Sequence, residues 1–258
     1  MRRARFLSFA AVLAAGAFAA QAGAELPREP VRPAAGAQPK AAERCRPKSV
    51  QSMATARRTY AAVVRKRAIA YRTPGKRELA RFGPRNVNGV PTVFAVIARQ
   101  VDRHCGASWL RVRLPMKPNG VTGWIRPYAV KLVPLSSRIV VDLSDRQVTL
   151  YEHGRRVLTT TAAIGTSRTP TPTGRYYVNQ RLVPADTSGP FGPGAIGISA
   201  FSEVLTGWTQ GGPVAIHGTN RPELLGRAVS NGCIRIRNDH LVRIFRRALA
   251  GTPVTVRA

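Results

Sequence analysis

The sequence predicts a mainly β protein, a small β-barrel followed by a second β-rich domain that closes with one short helix. Short apolar segments recur along the chain, cut by Gly, Pro, Asn and Asp. In several of them apolar residues alternate with arginine or threonine, the two-residue period of a strand with one buried face. A single late segment instead spaces its apolar residues three and four apart, as a helix does. With 258 residues the chain is long enough for two modest domains.

The first 24 residues read as a secretory signal peptide. Met1-Arg2-Arg3-Ala4-Arg5 is a charged start, Phe6 to Ala20 is an apolar run, and Ala22-Gly23-Ala24 is a small-x-small cleavage site. The apolar run falls short of the ~20 residues a helix needs to cross a bilayer. Membrane contact is therefore expected only through an uncleaved signal segment, and the mature protein is expected to be secreted into the cell envelope, periplasm or cell wall. Residues 25–44 carry proline, alanine and charge without period, the composition of a disordered leader.

Residues 45–135 form the first domain. Ala68 to Tyr71, Val93 to Ile97 and Trp109 to Leu114 are strand segments, and Thr73-Pro74-Gly75 is a turn. Val112 and Leu114 alternate with Arg111 and Arg113, then Pro118-Asn119-Gly120 turns the chain into Gly123-Trp124-Ile125. The stretch WLRVRLPMKPNGVTGWI resembles the closing hairpin of bacterial SH3-like wall-associated domains, so an SH3-like small β-barrel is expected. Trp109 and Trp124 are expected in its core rather than on a ligand platform.

Residues 136–258 form the second domain. Ile139, Val141 and Leu143 share one face, Ser144-Asp145 turns, and Val148 and Leu150 follow before the Glu152-His153-Gly154 turn. Thr169 to Gly174 and the Gly/Pro-dense 188–197 are loops, with strands at Tyr176-Tyr177-Val178 and Pro213 to Ile216. Asn238-Asp239 is expected to cap a helix whose Leu241, Ile244, Phe245 and Ala248 share a face, with Gly251 and Pro253 as its stop.

The chain has 41 Lys+Arg against 12 Asp+Glu, a net charge of +29. That field favours anionic partners. The arginines are spread rather than clustered and no nucleic-acid module is present, so no nucleic-acid partner is expected and anionic wall polymers are the polyanions that suit an exported chain.

Of three cysteines, Cys45 and Cys105 fall in the first domain and are expected to form a disulfide. Cys233 is left over. Gly232 before it opens the backbone to a substrate carbonyl, and Ser230 and Asn231 add polar groups on the same turn. Ile234 and Ile236 anchor the following strand while Arg235 and Arg237 project from its other side. A thiol of ordinary pKa is only a few per cent thiolate at neutral pH, so chemistry at Cys233 requires a base or a positive neighbour. His217 ends the apolar Val214-Ala215-Ile216 run. His104, His153 and His240 fall in the other domain, in a hairpin turn and at the helix start. No Cys or His spacing matches a zinc site, so no metal is expected.

The pair IHGTN and SNGCIRIRND resembles the catalytic signature of the L,D-transpeptidase family, whose catalytic domain is also called YkuD-type. A strand-end His-Gly is followed at a similar spacing by Ser-x-Gly-Cys-x-Arg, and DLSDRQVTLYEHG, AAIGTSRTPTPTG and the C-terminal helix and strand fit as well. The resemblance covers about 138–258.

It implies a β-sandwich with a capping loop, peptidoglycan stem peptides as substrate, and no cofactor. It implies that Cys233 attacks the carbonyl joining the third stem residue to D-alanine, that His217 takes the thiol proton, and that a thioester then passes to an amine or to water. The amides around Asn231, Gly232 and Cys233 are the expected oxyanion hole. Arg235 is expected either to bind a donor carboxylate or to be structural, pairing with Asp239 or capping carbonyls, and Ser230 to orient the turn or the ligand. Many family members have histidine at the position of Asn231, which marks that side chain as dispensable. The rival functions are an L,D-carboxypeptidase of the same fold and a non-catalytic wall-binding protein.

Overall fold

The computed structural model describes residues 46–258 except 206 and 208. Cys45 and the segments expected to be signal and leader lie outside the described residues. The fold is mainly β, with one α-helix and two sheets.

The first sheet has eight strands: β1 (Val50–Ser52), β2 (Thr59–Val64), β3 (Ala68–Thr73), β4 (Lys76–Phe82), β5 (Val93–Val101), β6 (Ala107–Arg113), β7 (Thr122–Ile125) and β8 (Val130–Leu135). Its path runs β4-β3-β7-β6-β5-β2-β8, with β1 added on β5. Phe94, Leu110, Val112, Leu114 and Ile125 fill its core, and Phe82 meets Phe94 edge to face at 4.9 Å. Trp109 is 7% exposed, packed at right angles to Tyr71 with the Arg126 guanidinium over its ring. Trp109 is thus a core residue with one covered face, while Trp124 is half-buried. Cys105 is disulfide-bonded, and Cys45, its expected partner, lies outside the described residues.

The second sheet has nine strands: β9 (Ser137–Asp142), β10 (Gln147–Glu152), β11 (Arg155–Gly165), β12 (Gly174–Leu182), β13 (Ala195–Phe201), β14 (Pro213–His217), β15 (Ala228–Ser230), β16 (Ile234–Ile236) and β17 (Pro253–Arg257). The order β10-β9-β17-β12-β13-β14-β16-β11-β15 closes on itself because β10 also pairs with β11. The eleven-residue β11 makes this closure possible, its first half pairing with β10 and Ala162-Ala163 with β16. Strand β13 begins at Ala195, so the last three residues of the glycine- and proline-dense run are strand rather than loop. Their Cα partners on β14 include Ala215, Ile216 and His217.

Helix α1 (Asn238–Arg247) buries Leu241 and Ile244 in a core shared with Ile139, Val141, Leu150, Ile196, Ile216, Ile234 and Ile236. Arg181 of β12 ties the helix down, stacking on Phe245 and donating to its carbonyl. The residue that caps α1 is Arg237, with no side-chain cap bond, so the expected Asn238-Asp239 cap does not form. Asn238 is spent elsewhere.

Candidate active site

Strands β14 and β16 run parallel, with Ile216 beside Ile234 and His217 beside Arg235. Ile216 and Ile234 are fully buried, so the alternation of a strand places His217 and Arg235 together on the opposite face. There a cleft of about 170 Å³ is lined by His217, Ser230, Asn231, Cys233 and Arg235, together with Pro190, Phe191, Leu205, Gly212 and Pro213. The structure gathers in one place every side chain singled out on the sequence. Gly232 lies in the same turn, and His104, His153 and His240 lie outside the cleft.

The Cys233 turn is held by hydroxyls. Ser230 is 1% exposed; its Oγ accepts from the Gly232 amide at 3.1 Å and donates to the Cys233 carbonyl at 2.6 Å. Thr171, also buried, donates to the Gly232 carbonyl at 2.9 Å and accepts from the Gly165 amide at 2.9 Å. Thr169 donates to the Ser230 carbonyl at 3.0 Å. With its proton committed there, Thr169 can only accept from Thr166, 2.9 Å away. Gly232 has φ +107, a conformation that strains any residue with a Cβ.

The structure bears on two of the expectations here. The Gly232 amide is committed to Ser230, so it is not an oxyanion donor; the amides of Asn231 and Cys233 make no hydrogen bond among the described residues and remain available. Arg235 does not pair with Asp239, which is bound instead by Arg237 at 3.1 Å. The Arg235 Nε is buried without a partner. A guanidinium left this way at a cleft wall suits a carboxylate.

His217 is 4% exposed, and its Nδ1 lies 2.6 Å from the Gly218 carbonyl. A carbonyl only accepts, so Nδ1 carries the proton and Nε2 is the free lone pair. The turn that supplies this carbonyl is packed without slack. A Cβ on Gly218 would collide with Asn238 Oδ1, and that oxygen accepts from the Thr219 amide at 2.8 Å. Phe191 covers the imidazole at 4.8 Å between ring centroids.

Burial dominates the ionisation of both reacting groups. It lowers His217 to about 4, with the Arg235 charge acting the same way and the Gly218 hydrogen bond opposing. It raises the Cys233 thiol above its ordinary value, while a backbone hydrogen bond from Ala215 and the Arg235 charge pull it back. Burial thus favours the uncharged form of each group, a neutral imidazole and a thiol. Such a pair acts by general-base transfer when an electrophile arrives.

Thr169, Thr171, Phe191 and Asn238 were not identified as site residues from the sequence. The threonines sit in a segment whose prolines signal only a loop, and their partners are 61 residues away. Asn238 carries the signal of a helix cap and serves as a brace. Among the described residues no group of His, Cys, Asp and Glu is arranged to hold a metal.

Residues 136–256 match the model of the L,D-transpeptidase catalytic domain, YkuD. The YkuD protein of Bacillus licheniformis is 34% identical over 119 residues, 46% of this chain, and that of Bacillus subtilis 33% over 118 residues, also 46%. The chain spans 64% of the length of each of these curated relatives. Among solved structures, the catalytic domain of the E. faecium L,D-transpeptidase is 26% identical, with 47% of this chain and 97% of that one covered and a TM-score of 0.35. Residues 136–256 are thus similar to the YkuD family of L,D-transpeptidase catalytic domains.

Proposed function

We propose that this protein is a peptidoglycan L,D-transpeptidase in which Cys233 carries the acyl group. The reading rests on one observation above others: His217, fixed by Gly218 with Nε2 free, shares a cleft with Cys233, the only free cysteine among the described residues. The thiol attacks the carbonyl between the third stem residue and D-alanine as His217 Nε2 takes its proton. The amides of Asn231 and Cys233 receive the oxyanion. Collapse of the tetrahedral species breaks the C–N bond, His217 returns the proton to the leaving amine, and D-alanine departs from a Cys233 thioester. Arg235 binds the carboxylate of the donor. An acceptor amine, deprotonated by His217, then attacks the thioester to give a 3→3 or similar cross-link and restore the thiol. Water in its place gives the carboxypeptidase reaction.

Intact-mass spectrometry with a disaccharide-tetrapeptide tests this reading. A mass gain on Cys233 with release of D-alanine is expected, and none in Cys233→Ala. Acylation of the folded Cys233→Ala variant would remove Cys233 from the mechanism, and an added amine distinguishes cross-linking from hydrolysis.

A wall-binding role for the SH3-like region is compatible with this chemistry and has its own motif. Arg67, Arg126, Tyr71, Trp109 and the 76%-exposed Tyr128 surround a 330 Å³ depression on the first sheet. Arginines beside aromatic rings suit an anionic glycopolymer. A secreted protein of the cell envelope, delivered by the 1–24 signal, would meet such polymers.

A further inference from the structure

The loop from Ser202 to Gly212 joins β13 to β14. It is tied at its base by the Ser202 amide donating to the Gly212 carbonyl at 2.7 Å, beside the Phe201–Pro213 strand pair. From it Leu205 and Gly212, with Pro213, wall the Cys233 cleft. Two loops of the first sheet bond Phe201, the residue before this loop, and Gln210 near its end.

Asn119, in the turn between β6 and β7, engages both backbone groups of Phe201. Its Nδ2 donates to the Phe201 carbonyl at 2.8 Å, and its Oδ1 accepts from the Phe201 amide at 2.9 Å. A side-chain amide presents the same donor and acceptor as a peptide group, so Asn119 stands where another strand would. Asn88, in the loop between β4 and β5, accepts from Gln210 Nε2 at 2.9 Å and donates to Gln180 Oε1 at 2.8 Å. Gln210 has φ 61 and is followed by Gly211 at 78 and Gly212 at 72, a left-handed run that glutamine adopts only under constraint. Asn88 bonds the side chain of Gln210, two residues before Gly212 of the cleft wall. A cavity of about 420 Å³ lies between the grips, and Pro213 lines both it and the cleft.

We propose that the first sheet is a working part of the catalytic cleft, with Asn88 and Asn119 as positioning residues that set the 202–212 loop and so the fit of the donor stem. The inference rests on the donor-binding reading above. Because Cys233 and His217 are held from within the second sheet, the grip governs donor binding more than the chemical step.

The test is the full chain carrying Asn88→Ala and Asn119→Ala, with donor turnover and amide hydrogen exchange measured together. KM is expected to rise about tenfold, with a smaller change in kcat, and exchange to quicken within 202–212 and not in the Ser230–Ile236 segment. The swap N88Q with Q210N, which conserves the length of the pair, is expected to recover KM relative to Asn88→Ala alone, a recovery that a merely structural role does not produce. Wild-type turnover with KM unaltered in the double variant overturns the inference. So does a loss of kcat that tracks melting temperature and is not recovered by the swap. Absence of turnover in the wild type, with exchange quickened in the variant, removes the catalytic reading while supporting the grip.

Discussion

The Cys233 turn and the 202–212 loop face each other across one cleft and are held in opposite ways. The turn is fixed by three hydroxyls, Ser230, Thr169 and Thr171, all within the second sheet. The loop is held at its ends from outside, by Asn119 on Phe201 just before it and Asn88 on Gln210 within it. The chemistry is therefore built into residues 136–256, whereas the shape of the cleft depends on both sheets. Buried hydroxyls on backbone carbonyls resist displacement, because a broken bond leaves a group without water. Half-exposed amides yield more easily, which suits a wall that must admit a chain.

The sharpest way to break this contrast is to remove a group on the fixed side that reacts. His217→Ala is expected to slow acylation of Cys233 by about 10²- to 10⁴-fold, the usual worth of a positioned base, with donor affinity little altered. Single-turnover acylation checks it, and an unchanged rate would assign the base elsewhere.

Thr171→Val comes next. It orphans the Gly165 amide and the Gly232 carbonyl, both at a buried hydroxyl, and is expected to cost about 2 kcal/mol in denaturant unfolding while slowing acylation. The contrast with Asn88 and Asn119 is in the observable, since Thr171→Val acts on stability and kcat together. A rise in KM alone would erase the distinction between the two sides.

The smallest effect on acylation is expected from mild acid. With His217 at about 4, acylation at pH 5 stays within about twofold of its rate at pH 7, where an imidazole of ordinary pKa would have lost more than about tenfold. The rate then falls as pH drops through about 4. Stability has the same sign: the unfolded chain binds this proton near pH 6.5 and the folded chain near 4, so stability is lost as pH falls between them, by about 3 kcal/mol in all. A pH-rate profile and urea melts at pH 7 and 4.5 measure both.

What the sequence makes legible follows from the range of the interactions. The mainly β fold reads directly from two-residue periodicity, and Cys233 and His217 read from motifs in which the supporting residues are neighbours. The orienting carbonyl of Gly218 is one residue from its imidazole. The failures involve partners that only the folded backbone selects, even where they are two residues apart. Arg237 and Arg235 both project from the strand that contains Ile236, and only the fold decides that Asp239 takes Arg237. Asn238 has the composition of a cap, but the approach of the Thr219 turn gives its oxygen another donor. The Gly232 amide is hidden from the oxyanion site by a hydroxyl two residues away, a bond that exists because Ser230 points inward.

The protonated state of Cys233 has a consequence for durability. Oxidation to sulfenic acid and exchange with disulfides both proceed through the thiolate. Burial that favours the protonated thiol lowers the share of thiolate open to either reaction. Cys105 is disulfide-bonded, while Cys233 is the only free cysteine among the described residues.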